Sequence, residues 1–253
     1  MIDLKGMHYP KHIILFAVFF YVRYGVSYRD LEDIMQERGV NVDHATLNRW
    51  VVKYSPVFVQ LAKKKRKPTS PSWRMDETYI KVKGRWCYYY RAIDKFGATL
   101  DFMLSTNRDE AAATRFFKQS IENNGMPEKV VIDKSGANYA GLMNINTLLF
   151  FFGTTCFIDI LRVKYLNNII EQDHRFIKKI TKPMMNFKAF QSASATLSGI
   201  ELAHMIRKTQ FKNPYLSDYH QFLELVAQSR LEFSAHSLIL NFATQLYFDL
   251  CKK

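Results

Sequence analysis

Three carboxylates in this sequence, Asp76, Asp133 and Glu171, stand where an acid is costly or conspicuous. Asp76 falls inside a stretch that reads as a strand, where Asp is disfavoured. Alternation sets it on the same face as Thr78, Ile80 and Val82, a face that looks buried, and a buried carboxylate is costly unless paired or bound to a metal. Asp133 ends the apolar run Val130-Val131-Ile132, with Gly136 close behind, which puts an acid at the carboxyl end of a buried strand, where α/β ligand sites tend to lie. Glu171 sits early in a predicted helix; Arg175 and Lys178 follow it by four and seven residues and share its face, whereas Asp173 points about 200° away at ~100° per residue. Gathered together, such acids repel and raise one another's pKa, so a cluster of them implies cations. Two divalent ions about 3.5–4 Å apart activate an oxygen nucleophile and stabilise a leaving oxygen in phosphodiester chemistry. Magnesium, with manganese as a substitute, takes hard oxygen ligands and keeps several waters, so a few carboxylates plus the phosphate suffice. Spacing alone does not show convergence: taken singly, each acid reads as a surface charge, a cap or an ion-pair partner.

The elements that would carry these acids begin with strands. Residues 73–82, 86–93 and 99–105, punctuated by Gly84 and the turn Asp94-Lys95-Phe96-Gly97, read as a three-stranded antiparallel meander. A helix from about Asp109 would bury Ala112, Phe116, Phe117 and Ile121. A short strand from Lys129 to Asp133, another helical stretch, a strand near Phe157 to Ile160 and a helix from about Asn168 complete the region. This order predicts an α/β fold: a ribonuclease-H-like mixed sheet flanked by helices, over residues 67–210.

The first 66 residues read as all-α. Ile13, Ile14, Ala17, Val18 and Tyr21 recur at helical spacing; Ser27 and Asp30 form a capping box before Leu31, Ile34 and Met35; Gly39 ends that helix. Asp43 caps a third helix with the apolar stripe Leu47, Trp50, Val51 and Tyr54, expected to run to about Pro56. Two helices joined across Gly39 in a chain with 36 Lys and Arg against 23 Asp and Glu suggest a helix-turn-helix DNA-binding domain. The residues of the third helix left to read DNA are His44, Thr46, Asn48, Arg49 and Lys53. The alternative is a small bundle that contacts another protein. The run Lys63-Lys64-Lys65-Arg66-Lys67, with Pro68 and Pro71 after it, reads as a basic linker, ordinarily a solvated face.

Other classes fit less well. Ile13 to Val22 mimics a signal peptide, but Arg23, Tyr24 and Gly25 follow it with no small-x-small cleavage site. Leu148 to Leu161 is about 14 residues, carries Asp159, and falls short of the ~20 that span a bilayer, so no membrane role is expected. Cys87, Cys156 and Cys251 lack metal or disulfide spacing and suit a reducing cytoplasm. His174, three residues from Glu171, could approach the acids but reads first as a phosphate contact or surface group, His204 as a satisfied core group, and Tyr88, Tyr89 and Tyr90 as sheet packing with the middle ring opposite its neighbours.

Three blocks, Trp73-Arg74-Met75-Asp76-Glu77-Thr78-Tyr79, Ile132-Asp133-Lys134-Ser135-Gly136-Ala137-Asn138 and Lys164 through Arg175, resemble those of the cointegrate-forming bacterial insertion-sequence transposases, the insertion-sequence-six family. Tyr28-Arg29-Asp30-Leu31-Glu32, Gly199-Ile200-Glu201 and Met205-Ile206-Arg207-Lys208 look similar as well, so the resemblance runs over roughly residues 6–210. It implies that Asp76, Asp133 and Glu171 form the acidic triad of a DDE catalytic domain using two magnesium ions. It also implies cleavage and transfer of DNA strands at terminal inverted repeats and into target DNA, by a homo-oligomer of the bacterial cytoplasm and nucleoid. Two departures stand out: the apolar stretch Leu148-Leu149-Phe150-Phe151-Phe152 with a wide interval before Glu171, and residues 211–253, expected as a helical tail around Leu238, Leu240, Phe242, Leu246 and Phe248. They keep open the alternative of a catalytically inactive, DNA-binding remnant.

Overall fold

The computed structural model describes residues 8–153, 155, 157–184, 187–211 and 215–226. Strands β1 (Ser72–Val82), β2 (Arg85–Asp94) and β3 (Thr99–Ser105) form the antiparallel meander, and β4 (Lys129–Ile132) and β5 (Asp159–Arg162) join parallel to β1, giving the order β3-β2-β1-β4-β5. The mixed sheet with helices on both faces is ribonuclease-H-like. Positive-φ Gly84 (79°) and Gly97 (86°) turn the two hairpins, a conformation open to glycine without a Cβ penalty.

Alternation sends side chains to two cores. Trp73, Met75, Tyr90 and Ala92 pack with Phe116 and Phe117 of α4 (Glu110–Asn124) and Leu142 and Ile145 of α5 (Gly136–Phe151). Ile80, Val82, Cys87 and Tyr89 face the opposite way, into a larger core shared with every other helix. The middle tyrosine of the triplet does oppose its neighbours. That larger core takes in α1 (Lys11–Arg23), α2 (Tyr28–Glu37), α3 (His44–Lys63), α6 (Asn168–Thr181), α7 (Phe190–Arg207) and α8 (Asp218–Val226). The amino-terminal helices therefore share one continuous core with a face of the sheet.

Local signals set the helix starts. The Ser27 hydroxyl accepts from the Asp30 N–H and the Asp30 carboxylate from the Ser27 N–H, while Asp43 and Asp109 cap α3 and α4 through the N–H of Thr46 and Ala112. The end of α3 differs from expectation. It runs through Pro56 to Lys63, because Phe58, Val59 and Ala62 continue the buried stripe beyond the proline and offset its missing N–H.

The basic run after α3 is a strap rather than a solvated linker. Lys63 pairs with buried Asp101 at 2.7 Å, Lys65 donates to the carbonyls of Glu224 and Leu225, and Arg66 donates to the Thr99 and Leu100 carbonyls and to Asn124. The last strand begins two residues later than Phe157, since Ile158 is held by the Asn146 side-chain amide and pairing with β4 starts at Asp159. Phe150, Phe151 and Phe152 end α5 exposed. No helix among the described residues is long and apolar enough to cross a membrane. The apolar residues expected in a tail, Leu238 to Phe248, lie outside the described residues.

Candidate active site

Parallel pairing of β1 with β4 matches Ser72 to Lys129, Trp73 to Val130 and Arg74 to Val131. Continued by two residues, that register sets Asp133 beside Asp76. The β1–β4 ladder stops at Arg74–Val131 while β1 runs on beside β2, so Asp133 stands just past the carboxyl end of β4, where α/β sheets bind ligands, and Asp76 lies within β1 beside that opening. Asp133 is oriented by its own loop: Oδ1 accepts the Ser135 N–H at 2.9 Å, just before α5 begins.

Glu171 lies in the first turn of α6, where an acid complements the helix dipole. It is exposed. The helix is fixed against β1 by two contacts: Asn167 donates its side-chain N–H to the Met75 carbonyl at 3.2 Å, and His174 Nε2 lies 3.2 Å from Asp76 Oδ2. Arg91 Nη1 approaches the other ring nitrogen, Nδ1, at 3.4 Å. A guanidinium only donates, so Nδ1 accepts and the proton sits on Nε2, donating to Asp76. His174 is thus a buried partner of Asp76: it does approach the acids, and is not the surface or phosphate-contacting group that its sequence context suggests first.

Behind His174 lies a buried ionic network. Arg91, fully buried, meets Glu201 through Nε at 2.5 Å and Asp173 through Nη2 at 2.7 Å. Asp173 also accepts from His204 Nε2 and Lys208 Nζ, both at 2.7 Å, and Tyr89 donates to Glu201 at 3.2 Å. Burial opposes the charge on Asp173, but the bond from His204 and the Arg91 and Lys208 cations hold its carboxyl far below the usual carboxylate range. Burial pushes the His204 imidazole down despite Asp173, consistent with a neutral ring donating through Nε2. That ring stacks on Phe176 at 4.0 Å between centroids.

On the other sheet face Glu77, its side chain 2% exposed, meets Arg108 at 3.3 Å, and the same guanidinium reaches Asp133 Oδ2 at 3.7 Å. Burial raises the Glu77 pKa, with Arg108 opposing. One Glu77 oxygen and both polar atoms of the Asn138 side chain are buried without hydrogen-bond partners among the described residues.

The structure therefore places Asp76 on β1, Asp133 just past the end of neighbouring β4, and Glu171 on the helix packed over β1. Among the described residues no three His, Cys, Asp or Glu side chains lie close enough to hold a metal ion. Of the residues expected to touch DNA, Arg49, Lys53, Arg175 and Lys178 are exposed and Asn48 is half-buried. His44 is held by Glu32 through its backbone and ring nitrogens, and the Thr46 hydroxyl bonds Asp43 and Arg49. The sequence reading missed Arg91, Glu201 and the inward role of Asp173. The signal available was an arginine in an otherwise apolar strand, directly across from Asp76.

The DDE domain family, of the IS240 transposase type, matches residues 70–210, more than half of the chain. The chain is 43% identical over 200 residues to the transposase for insertion sequence-like element IS431mec of Staphylococcus aureus, covering 79% of this chain and 86% of that protein. It is 42% identical, over the same shares, to the transposase for insertion sequence element IS257 in transposon Tn4003 of the same species. Among solved structures, the catalytic core domain of BIV integrase aligns with a TM-score of 0.41 at 17% identity, covering 61% of this chain and 95% of that one. The HTLV-2 integrase catalytic core in complex with magnesium aligns at 0.40 and 16%, covering 54% and 86%. With its three motif blocks inside the matched region, the chain belongs to the DDE-type DNA transposases of the insertion-sequence-six family.

Proposed function

We propose that this transposase cleaves and joins DNA strands at the terminal inverted repeats of its element, with Asp76, Asp133 and Glu171 as the residues that hold divalent cations. The carrying observation is the register of β1 with β4, whose continuation past the end of β4 sets Asp133 beside Asp76, with α6, which carries Glu171, fastened to β1 through Asn167 and His174. The donor set suits a hard divalent ion: Asp76 Oδ1 and the Glu171 carboxylate accept no hydrogen bond among the described residues, and Asp133 gives only Oδ1 to Ser135. Bound there, two magnesium ions, or manganese in their place, supply activation of the attacking oxygen and stabilisation of the leaving one.

The chain's own residues do the remaining work. His174 orients Asp76, the Ser135 N–H orients Asp133, and Arg108 offers a cation beside Asp133. Arg175 and Lys178, on the Glu171 face of α6, hold the DNA backbone near the reacting phosphate. The amino-terminal helices, residues 1–66, recognise the element ends through α3, with His44, Thr46, Asn48, Arg49 and Lys53 toward DNA; residues 67–210 carry catalysis, and the protein acts as a homo-oligomer. The family and its Staphylococcus relatives support this reading.

One observation favours the second reading, a binding-only remnant: the three carboxylates do not form a metal-sized cluster among the described residues. Strand transfer in vitro decides between them, using the element's own ends with magnesium and Asp133→Asn as control. Joined products that vanish in the variant establish the catalytic reading. Bound ends with no joining in magnesium or manganese overturn it.

A further inference from the structure

A cleft of about 840 Å³ opens between the β2–β3 turn, α6 and the end of α7. Its walls carry Lys67, Arg175, Lys179, Arg207 and Lys208 against two acids, Asp94 and Asp173. Both acids are already spent. Asp94 accepts the N–H groups of Ser70, Phe96 and Ala98 within 3.0 Å, which shapes the turn; Asp173 is held by Arg91, His204 and Lys208. Arg175, Lys179 and Arg207 are exposed and make no ion pair among the described residues. Lys67 gives one of its three hydrogens to the Thr209 carbonyl and keeps two. Four cations of the cleft thus have no acid partner among the described residues: Lys67 on the segment after α3, Arg175 and Lys179 on α6, and Arg207 at the end of α7.

Its mouth is aromatic. Phe96, at the tip of the β2–β3 turn, is 79% exposed and lines the cleft with half-exposed Ile169, while the Lys95 ammonium lies 4.9 Å from the Phe96 ring centroid. Phe96 contributes nothing to either core. A cationic groove with an exposed aromatic platform is the composition that binds unpaired nucleic acid, since phosphates track the cations and a base can stack only when it is out of its pair. Duplex DNA would use the cations but not the ring.

We propose that this cleft is a single-stranded DNA site, with backbone phosphates on Lys67, Lys179 and Arg207 and an unpaired base on Phe96. Gln172 and Arg175, which line it, flank Glu171 on α6, so a strand frayed beside the acids passes directly into it. The assignment is separate from recognition by α3 and stands or falls without catalysis.

The test is anisotropy of a labelled mixed-sequence 12-nucleotide strand, and of the same strand as duplex, with the full chain at fixed low salt and then along a salt series. Lys179→Ala with Arg207→Ala should weaken single-strand binding at least tenfold and flatten its log–log salt slope by about 1.4, at about 0.7 per phosphate contact. Phe96→Ala should weaken single-strand binding about tenfold and leave duplex binding unchanged. Ultraviolet cross-linking of a 5-iodouracil strand to the wild-type chain should mark the peptide containing Phe96. Unchanged single-strand affinity in either variant, equal losses for strand and duplex in Phe96→Ala, or cross-links confined to α3 would each overturn the proposal.

Discussion

Asp76 on β1 and Arg91 on β2 stand directly opposite each other in the antiparallel register, yet Arg91 turns away and spends its charge on Glu201 and Asp173. Asp76 receives instead the N–H of His174, whose other nitrogen Arg91 approaches. The arginine thereby fixes the imidazole without consuming the acid. A direct pair would have occupied the carboxylate that the proposed chemistry needs.

Removing the hub should be expensive. Arg91→Met leaves Glu201 and Asp173 buried without their principal cation, and breaking a buried pair this way costs about 3–5 kcal/mol. Urea unfolding should show the loss as a lower midpoint with an unchanged slope. A midpoint within error of wild type would mean that the network contributes geometry and no stability.

The two buried acids on opposite sheet faces should respond to pH with opposite signs. The Asp173 pKa is depressed on folding, so its contribution is complete above the unfolded carboxylate value and is lost as pH falls below it. Asp173→Asn should therefore flatten the acid limb of the stability curve. Glu77 is raised, so its folded form is favoured in acid and penalised as pH rises through its own pKa. Glu77→Gln should melt above wild type at neutral pH, less the loss of its Arg108 contact, with the gap closing in acid. A constant gap would place the effect outside ionisation.

His174 should act through Asp76. His174→Leu removes the donor while filling much of the space, and loss of a partner that orients a metal ligand costs about 10–100-fold in activity or metal affinity. His174→Gln, which keeps an N–H, should recover part of both. Terbium luminescence at the acids reads this independently of strand joining. Equal losses in the two variants would reduce His174 to packing.

What the sequence made legible was local. Ser27 with Asp30, Asp43 with Thr46 and Asp109 with Ala112 lie three residues apart, so their caps are written in adjacent letters. The strands showed themselves by alternation, Asp76 by standing where a strand disfavours an acid, and Asp133 by closing an apolar run. The network was hidden because Arg91 and Glu201 meet across 110 residues, a distance that no period spans. Helical angle rightly turned Asp173 away from Glu171, yet it could not say that the far side was a buried cluster of cations. Pro56 misled for the same reason: the residues that carry α3 past it, Phe58, Val59 and Ala62, are stabilised by long-range packing.

Recognition and stability should separate on α3. Arg49→Ala and Lys53→Ala touch exposed cations and should weaken inverted-repeat binding, each lowering the salt slope by about 1, with little change in melting. Asp43→Ala removes the cap and should lower the melting temperature while leaving the salt slope unchanged. Repeat binding that survives the double charge removal would move recognition off this helix.

Gly199 is where α7 admits the other helices. A Cβ there would lie 2.6 Å from Val22 Cγ1 on α1 and 2.7 Å from Ser55 Oγ on α3. Two effects of Gly199→Ala oppose: alanine gains roughly 1 kcal/mol of helix propensity, while overpacking a close junction costs about 1–3 kcal/mol. The contacts should win, because both neighbours are buried and belong to different helices, so neither can yield without moving its own packing. The expected result is a melting temperature a few degrees lower, recovered only in part by adding Val22→Ala, which clears the nearer contact and leaves that with Ser55. Since α3 carries the proposed repeat reader and α7 carries Glu201, the single variant should also loosen the link between end binding and strand joining. Unchanged melting would mean that the junction has slack and that α3 is held by the strap at Lys63 and Arg66 instead.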